Sequence, residues 1–185
     1  MRAIMLLLIV AGLAGAAEPE FLVDDFGEPG VSAVGTRWEG FTDRVMGGRS
    51  TMEAGYRRTA DGTVLAMAGS VSLENNGGFI QVRVPLAANG TFDASDYAGI
   101  AVIARGRPGA YRIHLRTRHT RLPWQLYAAP LEVTDEWRTI VVPFSSFEPD
   151  SVRRGLDRSA LSSLAIVAYG EEFDAEIELR RIALQ

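Results

Sequence analysis

The sequence predicts an all-β sandwich, and three observations carry the prediction. The apolar and alternating runs are short, and the segments between them are rich in Gly, Asn, Asp and Pro. Only Asp157–Leu164 hints at a helix, of two turns at most, with Asp157 as its N-cap. At 185 residues, 47% of them hydrophobic, the chain suits one folded domain with a core of its own.

The first segment reads as an address. Arg2, the apolar run Ile4–Leu13 and the small residues Ala14, Gly15, Ala16 and Ala17 follow the order of a secretory signal peptide. The run is too short to cross a membrane, which takes about 20 residues. The expectation is a signal peptide over 1–17, then a single periplasmic or secreted domain over 18–185 that inserts into no membrane.

Strands are predicted at Val64–Met67, Val71–Leu73, Phe79–Pro85, Gly99–Arg105 and Ala110–Thr117, then at Leu126–Pro130, Thr139–Phe144, Ser163–Tyr169 and Ala175–Ala183. Asn75-Asn76-Gly77-Gly78 predicts a hairpin, because Asn and Gly tolerate the positive φ of a tight turn, and Asp61-Gly62 is a weaker case. Alternation assigns faces. Tyr111, Ile113 and Leu115 fall opposite Arg112, His114 and Arg116, and Ile80, Val82 and Val84 fall opposite Phe79, Gln81 and Arg83. The first set of each strand is core. The second is either an ordinary solvated face or a polar, aromatic-edged surface for a ligand.

Composition excludes several chemistries. There is no Cys, so disulfides, thiolate metal sites and thiol nucleophiles are out. All basic residues are Arg, which removes lysine bases and Schiff bases. A net charge of −4 argues against nucleic acid as a partner. The glycines of Asp43–Ser50 lack a P-loop Lys and a following helix, no GxSxG elbow exists, and His114 and His119 are poorly spaced for zinc. The acidic run Glu171, Glu172, Asp174 and Glu176 is a solvated loop or a calcium site. Asp43 and Glu74 are the one carboxylate pair that glycoside hydrolysis could recruit, and their spacing does not establish it. No cofactor and no metal is expected, and no catalysis.

Four motifs in order then become specific. Trp38 with Asp43-Arg44-Val45-Met46-Gly47-Gly48-Arg49-Ser50 comes first, and Val71–Phe79 (VSLENNGGF) with Arg83 second. Tyr111–Thr117 (YRIHLRT) is the third, and Trp137 with Val142–Pro149 (VPFSSFEP) the fourth. Together they resemble the complex I intermediate-associated protein 30 family over nearly all of the chain after Phe21. The resemblance implies a galactose-binding-like jelly roll, and a non-catalytic assembly factor whose partner is a protein, such as a membrane complex. The same fold family also contains carbohydrate-binding modules, so a sugar held on the concave sheet face is the alternative.

Candidate binding residues are Asp43, Asn75, Asn76, Gln81, Arg83, Arg112, His114, Arg116 and Trp124. Asp43 and Arg83 are expected to meet as a bidentate pair between strands, leaving open whether they tie the fold or present a site. Trp38 and Trp137 are read as core rather than as binding platforms.

Overall fold

The computed structural model describes residues 19–60 and 62–185. The segment predicted as a signal peptide and Asp61 of the weaker turn lie outside the described residues. The first strands are β1 (Phe21–Asp24), β2 (Glu39–Thr42), β3 (Thr51–Thr59), β4 (Gly62–Val71), β5 (Phe79–Pro85) and β6 (Gly99–Gly106). The chain continues through β7 (Tyr111–Thr117), β8 (Leu126–Pro130), β9 (Arg138–Pro143), β10 (Glu148–Asp150), β11 (Leu161–Tyr169) and β12 (Phe173–Leu184).

They form two six-stranded sheets, a β-sandwich as the alternating runs require. The first sheet runs β3-β4-β12-β6-β9, and β1 also pairs with β12. Phe173–Leu179 of β12 faces β4, whereas Ile182–Leu184 faces β1, so one edge of β12 serves two partners. The second sheet runs β10-β8-β7-β11-β5-β2. Every pairing is antiparallel.

The predicted inward faces meet in one core. Ile80, Val82, Val84, Ile113, Leu115, Leu164 and Ile166 of the second sheet are buried together with Leu65, Met67, Ile100, Val102, Ile177 and Leu179 of the first. Trp38 packs against this core, and its indole N–H donates to Asp24 at 2.8 Å. Trp137 does not join it. It sits half-buried on the outer side of the first sheet, with the guanidinium groups of Arg180 and Arg105 4.1 and 4.7 Å from its ring centre. A register shift between Leu179 and Arg181 lets neighbouring arginines both point outward, Arg180 to Trp137 and Arg181 to Glu20.

Two local expectations need correction. Asn75 and Asn76 do take positive φ (56° and 58°), as does Gly78 (129°). The turn they make is no hairpin, because it carries the chain from β4 in one sheet to β5 in the other. The helix predicted at Asp157–Leu164 is a single 3-10 turn, Arg158–Ala160, capped as expected by Asp157, which accepts from the Ser159 amide at 3.2 Å. From Leu161 the chain is strand, since Leu161, Leu164 and Ile166 are needed in the core.

Candidate functional site

The first two motifs meet around one buried carboxylate. Thr42 caps a 3-10 turn over Asp43–Met46, and Gly47 (φ 90°) ends it in the left-handed region. The turn drives the Asp43 side chain inward, where it is fully buried. One carboxylate oxygen accepts from the Ser50 amide at 3.0 Å. The other accepts from the Ser50 hydroxyl at 2.5 Å, the Gly78 amide at 2.7 Å and the Phe79 amide at 3.4 Å. The Ser50 hydroxyl in turn accepts from the Ser72 amide at 3.0 Å. Gly48 and Gly77 are glycines because of this carboxylate: a Cβ on either would come within 2.4 Å of it.

The expected Asp43–Arg83 pair is therefore not formed. Asp43 is saturated by amides and hydroxyls, and its burial removes it from any binding surface. Arg83 instead reaches Glu39 at 3.6 Å and lies 4.4 Å from the Phe41 ring centre. Both members of the Arg83–Glu39 pair keep water contact, so Arg83→Ala is expected to cost no more than about 1 kcal/mol. A urea midpoint close to that of the unchanged protein checks this. A loss of several kcal/mol would restore a structural role for Arg83.

The other outer-face residues do come together, on the side of the second sheet away from the core. Strand register sets them in rows. Glu148, Ala128, His114, Ala165, Arg83 and Glu39 are successive pairing partners across the six strands. The next row runs Pro130, Arg112, Val167, Gln81 and Phe41. On the other side of the first row, Arg116, Ser163 and Pro85 are aligned. Small residues in the middle leave the sheet surface low, and arginines and rings rise around it. Arg112 lies 5.2 Å from the centre of the Tyr169 ring.

His114 is the exception in its row. It is only 9% exposed, packed edge-on to Tyr169 with ring centres 5.7 Å apart. Burial, helped by the Arg112 charge and opposed by Asp150, pushes its pKa down to about 4. It is a neutral floor residue at neutral pH.

Asn75 and Asn76 are exposed at the turn beside the Asp43 knot, where the Asn75 amide donates to the Gly47 carbonyl at 3.4 Å. They lie in the connection between the two sheets, off the outer face. Trp124 is 58% exposed in the loop between β7 and β8. Arg116 braces that loop by donating to the carbonyls of Thr120 and Leu122, both at 2.9 Å. The same loop carries Arg118 and Arg121, which sequence reasoning did not single out. The available signal was the close run of arginines through Arg116, Arg118 and Arg121.

The carboxylate pair considered for hydrolysis does not form either. Asp43 is enclosed, and Glu74 is exposed and held by Arg49 at 3.2 Å. Among the described residues no group of three or more His, Cys, Asp or Glu side chains converges.

Comparison with solved structures places the fold. The family 11 carbohydrate-binding module of the cellulosomal cellulase Lic26A-Cel5E of Clostridium thermocellum is similar with a TM-score of 0.71 at 16% identity, covering 91% of this chain and 95% of that one. The family 11 module from the same organism, in complex with a β-1,3-1,4-mixed-linked tetrasaccharide, gives 0.68 at 15% identity over 91% and 96%. A family 30 carbohydrate-binding module gives 0.60 at 15% identity over 90% and 98%. At these identities the likeness concerns the fold. Comparison with curated proteins finds no match. A family model described as complex I intermediate-associated protein 30 matches residues 25–175, most of the chain and all four sequence motifs. The Asp43 knot joins two of those motifs, and the chain belongs to the complex I intermediate-associated protein 30 family.

Proposed function

We propose that this chain is a non-catalytic binding domain that engages a partner protein on the outer face of its second sheet, and that it does so after export. One observation carries the reading: three arginines and a ring from three strands, Arg83 of β5, Arg112 and Arg116 of β7 and Tyr169 of β11, stand around a floor of Ala128, Ser163 and Ala165. Arg and Tyr side chains on a rigid support are the groups that supply most of the binding energy in protein interfaces. Family membership supports an assembly-type role, and the opening segment Arg2–Ala17 supports export.

A second reading, an oligosaccharide laid across the same face, is favoured by exposed Trp124, which could stack on a sugar ring, and by the tetrasaccharide bound to a similar fold. One experiment separates the two. The purified domain and its Arg112→Ala/Trp124→Ala variant are used as bait in extracts of the host, and both are screened against an oligosaccharide array. The expected result is a defined protein retained by the unchanged domain and lost with the variant. Sugar binding without a protein partner would replace the first reading with the second, and equal retention by both baits would remove the outer face from either.

A further inference from the structure

At one end of the outer face the sheet and the β7–β8 loop enclose an open groove of ≈ 500 Å³. Four arginines line it, Arg83, Arg116, Arg118 and Arg121, with Ser162, Ser163 and other small or hydroxyl side chains between them. Among the described residues no carboxylate and no aromatic ring lines it. This concentration of positive charge stands on a chain whose net charge is −4. We infer that the groove binds a carboxylate-rich peptide segment, and that this segment belongs to the partner protein proposed above.

The argument rests on how little of that charge the fold itself neutralises. Arg83 has one ion-pair contact, 3.6 Å to exposed Glu39, beside the Phe41 ring, and Arg118 has one, 3.7 Å to Asp157, which His119 shares at 3.1 Å; Arg118 also donates to the His119 ring at 3.4 Å. Arg116 spends its donors on Thr120 and the carbonyl of Leu122, none of which carries a charge. Among the described residues no carboxylate lies within ion-pair distance of Arg116 or Arg121. A guanidinium offers five N–H donors in a planar fork, so Arg83, Arg118 and Arg121 retain a pair for a bidentate carboxylate, while Arg116 retains only its second terminal nitrogen. Burial, and after it the neighbouring charge of Arg83, holds Arg116 below the ordinary arginine range. It stays protonated at any physiological pH, and the two cations repel across β11.

The lining also selects among anions. A sugar would need a ring to stack on, and Trp124 is not part of this groove. Rows of strand-borne Arg83 and Arg116, flanked by loop-borne Arg118 and Arg121, suit side chains spaced along an extended backbone. The serines and threonines between them can bond that backbone. The groove thus gives the proposed partner a chemical character: an exposed acidic stretch.

The inference rests on the protein-partner reading, and the test keeps the two apart. A fluorescein-labelled hexaglutamate peptide is titrated with the full domain, alongside a hexaglutamine peptide and a labelled hexagalacturonate. Hexaglutamate is expected to bind at low salt, weaken as NaCl is raised, and lose about 10-fold in affinity with exposed Arg121→Gln. The Arg83→Gln/Arg121→Gln double variant is expected to lose more. Circular dichroism and urea melts confirm that both variants fold. Equal binding of hexaglutamine, equal or tighter binding of hexagalacturonate, or unchanged affinity in the double variant would each overturn the inference. If the host protein captured by the domain is still retained by the double variant, the partner reading survives and the groove is excluded as its site.

Discussion

Asp43→Ala is expected to lower stability by about 4 kcal/mol, because it strands several buried donors at once. The hydroxyl and amide of Ser50 and the amides of Gly78 and Phe79 all end on that carboxylate, which is fully buried. Asp43→Asn keeps the volume but turns an acceptor into a donor facing other donors, so it should recover little. Gly77→Ala approaches the same knot from outside, with a Cβ 2.4 Å from the Asp43 carboxylate and 2.8 Å from the Ser72 carbonyl. Its expected cost is about 2 kcal/mol, from overpacking alone. Urea melts at pH 7 measure all three, and a loss under about 1 kcal/mol for Asp43→Ala would show that the knot does not hold the two motifs together. Acid gives an independent handle. Burial by itself would raise the Asp43 pKa, but the Ser50 hydroxyl and the amides of Gly78, Ser50 and Phe79 outweigh it and hold it below its usual 3.8. The stabilisation is present above 3.8 and is lost as pH falls through the lower, folded value.

Between neutral pH and pH 4 a different group is expected to govern stability. His114 ionises near 6.5 when unfolded but only at about 4 when folded. Between those values the unfolded chain binds the extra proton and the folded one does not, so stability falls as pH is lowered. The linkage amounts to about 3 kcal/mol at pH 4, and most of it is already present by pH 4.5. Burial under Tyr169 of β11 is the chief cause. Arg112 on its own strand adds to it, and Asp150 from β10 opposes it. Arg83 and Glu148 stand in the same pairing row, one on either side. His114→Gln should flatten the urea-midpoint profile between pH 7 and pH 4.5, because every other titrating group is common to the two proteins. Parallel profiles would show that His114 is protonated in the folded state.

Strands buried on one face announce themselves in the sequence by alternation: Phe79–Pro85 and Leu126–Pro130 have the bounds predicted for them, and Tyr111–Thr117 differs by one residue at its start. Strands without such a face were missed. β3 is an edge strand with only partial cover at Met52, Tyr56 and Thr59, and β10 is exposed throughout, so neither shows a hydrophobic period. β4 was split in two because Ala68, Gly69 and Ser70 interrupt its apolar pattern, although Gly69 is required there by the backbone of Thr51 and Met52 on β3. The site divides along the same line. Gln81, Arg112, His114 and Arg116 were placed together by the two-residue period, which needs only local geometry. Asp43 was given the wrong partner. Opposite charge made Arg83 the obvious choice, while the true partners are the Ser50 hydroxyl and three backbone amides, and an amide is revealed by no residue letter.

The arrangement of β12 fixes an order of events. It is the middle strand of the first sheet, hydrogen-bonded to β4, β6 and β1, and of the twelve strands it is the last to be synthesised. The second sheet draws only on strands up to Tyr169 and can close while the first still has no centre. Until residues 173–184 emerge, the edges of β4 and β6 that will face β12 are bare, and bare edges recruit any strand that passes. The final pairing also joins Phe21 to Leu184, the kind of distant contact that puts all-β domains in the millisecond-to-second range of folding. A nascent chain of this protein is half a sandwich, open to misassembly and to chaperones, for as long as the twelve residues of β12 are withheld.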